Sequence, residues 1–129
     1  MKHVTCAKCV RCGAEYEAVP DLTTCKCGGI LDIQYDYAYI RAHFTKADLA
    51  ACRDYSMWRY RPLLPVEPDS PSTPLRVGWS PLYQADRLAA ELGLKRLYLK
   101  DDGQNPTASL KDRASALAVV KAREAGADT

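Results

Sequence analysis

The sequence predicts an α/β protein in two parts, a small metal-stapled module followed by the start of a doubly wound domain. Three observations carry that prediction. Five of the six cysteines crowd between Cys6 and Cys27, in closely spaced pairs that suit metal ligands better than a disulfide framework. Five prolines follow between Pro62 and Pro74, and such a run marks a linker. Beyond it come a short strand, a loop and an amphipathic helix, the unit of doubly wound sheets, whose sites lie at the carboxyl ends of strands. The 129 residues divide into a zinc-ribbon-like module over 1–40, a short helix and Pro-rich linker over 41–74, and the beginning of a larger domain over 75–129.

Charge is nearly balanced, with 18 Lys and Arg against 16 Asp and Glu. This argues against nucleic acid or an anionic membrane as partner. No apolar run approaches the ~20 residues of a membrane span, and Met1-Lys2-His3 lacks the apolar core of a signal peptide. The expectation is a cytoplasmic protein.

In the first part, Cys9-x2-Cys12-Gly13 has the form of a zinc-knuckle turn, in which the glycine lets backbone amides fold around thiolates. Cys25-x-Cys27-Gly28-Gly29 is a tighter partner. Cys9, Cys12, Cys25 and Cys27 are the expected ligands of a closed, structural zinc site. Cys6 has the same spacing to Cys9 and is the rival ligand, disfavoured because no glycine follows it. His3 is expected to be solvated near a frayed terminus. A redox role for Cys25 and Cys27 is the weaker reading, since no Cys-x-x-Cys opens a helix after a strand. From Leu31 to Tyr37 apolar and polar residues alternate, which predicts a strand. The tyrosines at 35, 37 and 39 read as packing residues rather than a platform for bases. Thr45 is a plausible N-cap for a helix through Arg53, with Cys52 a buried small residue. In the linker, Trp58 is expected to dock as an aromatic anchor, and the prolines to exclude regular structure.

The second part opens at Val77-Gly78-Trp79-Ser80-Pro81-Leu82-Tyr83. A helix over 85–92 stops at Gly93, and a strand follows at Leu97-Tyr98-Leu99. The last helix places Leu110, Ala114, Leu117 and Val120 on one face and ends at Gly126. Its start carries the chemistry. Pro106 disfavours helix for Asn105, and Ser109 with Asp112 three positions on reads as a capping box. Lys111 then falls in the first turn, where the helix dipole and Arg113 disfavour a further positive charge. A neutral amine there can hold an aldehyde as a Schiff base, and the helix-end amides suit a phosphate. Pyridoxal phosphate carries both groups. The bland reading of Lys111 is a solvated surface residue.

The run Lys100-Asp101-Asp102-Gly103-Gln104-Asn105-Pro106-Thr107-Ala108-Ser109-Leu110-Lys111-Asp112-Arg113 resembles the cofactor-lysine segment of the threonine synthases, pyridoxal-phosphate enzymes of the tryptophan-synthase-β class. The pattern common there is Lys-Asp-Glu, then Asn-Pro-Thr-Gly-Ser-Phe-Lys-Asp-Arg, and this chain departs from it at Ala108 and Leu110. The cysteine pattern with Tyr16, Leu31 and Asp32 is similar to the zinc segment ahead of many of these enzymes. Gly78-Trp79-Ser80-Pro81-Leu82 resembles their Gly-x-Thr-Pro-Leu segment, with Ser80 in place of Thr. The resemblance implies conversion of O-phospho-L-homoserine and water to L-threonine and phosphate. It implies that Lys111 holds pyridoxal phosphate and shuttles protons, oriented by Ser109, Asp112 and Arg113, and that the zinc is structural. It is compatible with a homo-oligomer. No glycine-rich phosphate loop follows the lysine, so the chain is expected to be the amino-terminal part of an enzyme whose catalytic domain needs roughly 250 residues or more, and to be inactive alone. The alternatives are another enzyme on the same scaffold (cysteate synthase, cysteine synthase or threonine dehydratase) and a non-catalytic zinc-ribbon module that binds nucleic acid or protein.

Overall fold

The computed structural model describes residues 1–128. Strands β1 (Val4–Cys9), β2 (Glu15–Tyr16) and β3 (Leu31–Tyr35) form an antiparallel sheet in the order β2-β1-β3. Ala7 faces Tyr16 on one side and Ile33 on the other, and Cys9 faces Leu31. Both cysteine turns need a glycine in the left-handed region, where a side chain is strained. Gly13 and Gly28 supply it, at φ 76° and 77°.

The strand predicted through Tyr37 stops at Tyr35. Asp36 accepts the Tyr39 amide at 2.8 Å and so caps a helix, α1 (Tyr37–His43), because an N-cap carboxylate satisfies a helix-end donor that a strand would leave outward. Tyr37 and Tyr39 therefore belong to a helix. The next helix, α2 (Lys46–Ala51), has the predicted Thr45 cap, completed by Asp48 as a capping box, and ends two residues before Arg53. Cys52 is half-buried. His3 is not solvated: it is 8% exposed, lies parallel to the Tyr35 ring, and its Nε2 is 2.7 Å from the Leu64 carbonyl oxygen. That carbonyl and the tyrosine face outweigh terminal fraying.

The prolines do not exclude all regular structure. Residues Met57–Leu63 form a 3-10 helix with Pro62 inside it. A kink at Tyr60 (φ −97°, ψ 16°) divides it into two turns, so Pro62 lies at the start of the second, where a missing N–H costs little. Trp58 is 5% exposed and, with Met57, Val66, Val77, Ala116 and Val120, forms the buried apolar cluster of the chain. Trp58 is thus an anchor, as predicted. The segment around it is core as well as connector.

Strands β4 (Leu82–Gln84) and β5 (Tyr98–Lys100) pair antiparallel, with Leu82 opposite Lys100 and Gln84 opposite Tyr98. Helix α3 (Asp86–Glu91) lies between them in sequence, followed by Gly93 at φ 67°. Helix α4 (Asp112–Glu124) ends before Gly126 at φ 82°. Its inward stripe is Asp112, Ala116 and Val120, with Leu117 at the edge. Leu110 precedes the helix and is 64% exposed, and Ala114 is exposed. Leu110 is left outside the helix, which begins after Lys111 rather than at Ser109, and the inward row runs i, i+4, i+8 from Asp112.

Because Trp58 joins the connector to α4, its truncation is expected to be costly. Trp58→Ala should lower unfolding free energy by about 3–5 kcal/mol in denaturant titration. A loss under 1 kcal/mol would mean that the cluster is not the core.

Candidate functional site

Two groups of side chains carry chemistry. In the first, the Sγ atoms of Cys9, Cys12, Cys25 and Cys27 all lie within 4.8 Å of one another. Cys9 and Cys27 are 3.6 Å apart, as are Cys12 and Cys25. The edge of a tetrahedron with metal–sulfur bonds of about 2.3 Å is about 3.8 Å, so the four sulfurs fit a tetrahedral thiolate site. Cys6 stands outside the group, on β1 opposite Gln34, and so does His3. Gly29 lets the second turn close: a Cβ there would meet Cys9 Sγ at 2.6 Å and Cys27 Sγ at 3.3 Å.

The thiols do not ionise alike. The Cys27 amide, followed by the Tyr16 hydroxyl 3.1 Å away, brings Cys25 down to about 6. The Gly29 amide also pulls Cys27 down, yet the neighbouring sulfurs of Cys12, Cys25 and Cys9 outweigh it and push Cys27 up to about 12. The Tyr16 phenol is raised in turn, chiefly by its bond to Cys25. Four sulfurs so close cannot all carry charge without a cation between them. The donor set suits a soft divalent ion held in a closed shell.

The second group surrounds Lys111. Asn105 is 6% exposed and uses three of its bonding positions: its Oδ1 accepts the Gly78 amide at 3.0 Å, and its Nδ2 donates to the carbonyls of Asp102 (3.0 Å) and Ser109 (3.2 Å). Arg113 grips Asp102 with two bonds, Nη2 to Oδ1 at 2.5 Å and Nε to Oδ2 at 3.3 Å. Ser80 donates to Asp102 Oδ1 at 2.6 Å and accepts from Arg113 Nη2 at 3.2 Å. The Arg113 bond, then that of Ser80, holds the Asp102 carboxyl below its ordinary range. Lys100 Nζ donates to the Ser80 carbonyl.

The capping box takes a different form from the predicted one. Ser109 Oγ accepts the Lys111 amide at 3.1 Å, but the buried Asp112 carboxylate turns to Thr107, accepting its amide at 2.8 Å and its hydroxyl at 2.5 Å. Thr107 offers two donors where the Ser109 amide offers one. This clasp closes the loop that holds Ala108, at φ 55°. Lys111 therefore sits at the position just before α4, with αR backbone angles. It is exposed, and among the described residues its Nζ forms no hydrogen bond or ion pair. It lines an open cleft of about 310 Å³ with Leu75, Val77, Thr107, Asp112 and Ala116.

Of the four residues predicted at the cofactor, Lys111 and Asp112 line this cleft. Ser109 and Arg113 stand behind it, one on the Lys111 amide and the other on Asp102 and Ser80. Sequence reasoning missed the parts played by Asn105, Thr107 and Asp102. The turn-forming pair Asn105-Pro106 was the available signal; the Asp102–Arg113 pair, eleven residues apart, left none. A larger cavity of about 510 Å³ lies beside His3, Phe44, Asp48, Trp58 and Arg59, and Lys111 is not on its wall.

Residues 74–129 match the family described as pyridoxal-phosphate dependent enzyme. Over 95% of its length the chain is 46% identical to a threonine synthase of Methanosarcina acetivorans, and it covers 29% of that relative. Over nearly all of its own length the chain is similar to threonine synthases. A threonine synthase of Methanocaldococcus jannaschii is 40% identical over 94% of the chain and 30% of the relative. A cysteate synthase of Methanocella paludicola is 30% identical over 91% of the chain and 27% of the relative. The chain thus spans less than a third of the length of these relatives. No solved structure matches it. Among the described residues no helix is long and apolar enough to cross a membrane.

Two outcomes are expected from this geometry. Ala108→Gly relieves a left-handed alanine, worth roughly 1–2 kcal/mol, against the backbone entropy that glycine costs, so a net gain of about 0.5–1 kcal/mol should appear in the unfolding midpoint. The second concerns acid. Asp102 has a depressed folded pKa, so its stabilisation is complete above the unfolded value of about 3.9 and is lost as pH falls through the lower folded value. The stability difference between wild type and Asp102→Asn should therefore hold constant from neutral pH to about pH 4 and shrink below it, in acid titrations followed by circular dichroism.

Proposed function

We propose that the intact protein is a threonine synthase, a pyridoxal-phosphate-dependent carbon–oxygen lyase that takes O-phospho-L-homoserine and water to L-threonine and phosphate. One observation carries this reading: an amine without a partner among the described residues stands at the mouth of a helix, in an apolar-walled cleft, within the segment that matches a pyridoxal-phosphate enzyme family. The cleft suits an aromatic ring, and the amine suits its aldehyde. When bound, pyridoxal phosphate supplies the electron sink for carbanion chemistry.

The chain's own residues supply placement and proton handling. Lys111 would hold the cofactor through its aldehyde and would move protons at the substrate's carbons. Asp112 and Thr107 keep the loop before it closed. Ser109 fixes the Lys111 backbone, and Arg113, through Asp102 and Ser80, fixes the helix start against the Gly78–Pro81 segment. We further propose that the surrounding domain is doubly wound. Cys9, Cys12, Cys25 and Cys27 would hold a structural zinc, with no position left open for catalysis. The threonine synthase relatives, at 46% and 40% identity against 30% for the cysteate synthase, favour the first substrate.

The test is spectroscopic. The intact protein should show the visible absorption of bound pyridoxal phosphate, lose it in Lys111→Ala, and carry the cofactor on Lys111 after borohydride treatment. Label on another side chain would overturn the assignment.

A further inference from the structure

Tyr16 lies on β2, four residues beyond Cys12, and its place is set by the pairing of Tyr16 with Ala7 on β1. That register carries the phenol across the end of the ribbon to the second cysteine turn, 3.1 Å from Cys25 Sγ. Cys25 itself is 5% exposed, so water has little access to its sulfur. Among the described residues Tyr16 is the sole side-chain oxygen or nitrogen bonded to any of the four clustered sulfurs; Cys9 has the Arg11 amide at 3.4 Å.

We propose that Tyr16 is a positioning residue of the four-cysteine centre, whose hydroxyl donates to the Cys25 sulfur, holds it toward the metal and shields it from electrophiles. The inference rests on the metal reading given above. Four thiolates bring four negative charges to an ion with two positive ones, so the centre keeps an excess of charge on sulfur. A hydrogen bond to one sulfur draws off part of that charge and fixes where its lone pairs point. A buried sulfur gains more from the bond than an exposed one, because water does not replace the lost donor. Removing such a partner typically costs 10–100-fold in metal affinity.

Tyr16→Phe in the intact, zinc-loaded protein keeps the ring and deletes the donor. The wild type should hold about one zinc per chain by elemental analysis; a metal-free wild type would sink the metal reading itself. Given that zinc, the variant should lose it to a competing chelator about tenfold more readily. Iodoacetamide should alkylate Cys25 faster in the variant while Cys9, held by the Arg11 amide, keeps its rate. In the cobalt-substituted protein the sulfur-to-metal absorption should move to longer wavelength. Unchanged zinc retention would overturn the proposal. So would weaker retention with equal acceleration at all cysteines and an unmoved cobalt band, the mark of a loosened ribbon.

Discussion

The fork between Arg113 and Asp102 is the interaction on which the lysine site depends. Its members come from the first turn of α4 and from the turn after β5, and Ser80 adds the segment before β4. Side-chain exposures of 33% and 26% leave the pair partly screened, so its value lies less in energy than in geometry. Two parallel bonds from a planar guanidinium fix angle as well as distance, which a lysine in place of Arg113 would not do. Asn105 adds a buried second tie among the same three stretches. A backbone amide, a turn carbonyl and the Ser109 carbonyl converge on one side chain, which leaves the approach to Lys111 little freedom.

Space around that fork is already filled. Gly78 has φ 84°, and a Cβ there would stand 2.7 Å from Arg113 Nη1 and 2.9 Å from the Met57 amide. The Met57 amide donates to the Val77 carbonyl at 2.7 Å, so the Gly78 segment is pinned between the 3-10 helix and α4. Trp58, next in the chain, enters the cluster that also takes Ala116 and Val120. The apolar packing that stabilises the connector thus also sets the axis of the helix whose first residues shape the cleft.

What the sequence disclosed is local. The cysteine turns, the Thr45 cap, and the glycines after α3 and α4 depend on residues within a few positions of each other, so spacing alone reveals them. The structure departs from these expectations where a distant group decides the outcome or where two local options compete. His3 is buried because the Leu64 carbonyl, 61 residues away, meets its ring nitrogen. At the start of α4, Asp112 bonds Thr107 rather than Ser109, a choice between two nearby donors that no periodicity records. Pro62 fits a 3-10 turn because Tyr60 kinks the chain before it. The Asp36 cap was legible in principle, yet the alternation through Tyr37 imitated a strand.

The two halves meet stability by different means, and they are coupled. The ribbon buries few side chains, chiefly Ala7, Cys9 and Cys25, too few to hold a segment of this size by apolar burial, which is the situation in which a metal centre replaces a core. The second half has its cluster around Trp58. Between them, the Met1 amine reaches the Glu67 carboxylate at 3.1 Å and His3 meets Leu64, while Glu124 near the end of α4 accepts the Glu67 amide at 2.8 Å and the Lys121 ammonium at 2.5 Å. The strand that enters the cysteine ribbon is thereby tied to the connector, and the connector to the helix that begins after Lys111. A metal far from the cleft in sequence would then contribute to the site without touching it, by fixing the ribbon against which the connector, and through it α4, is held.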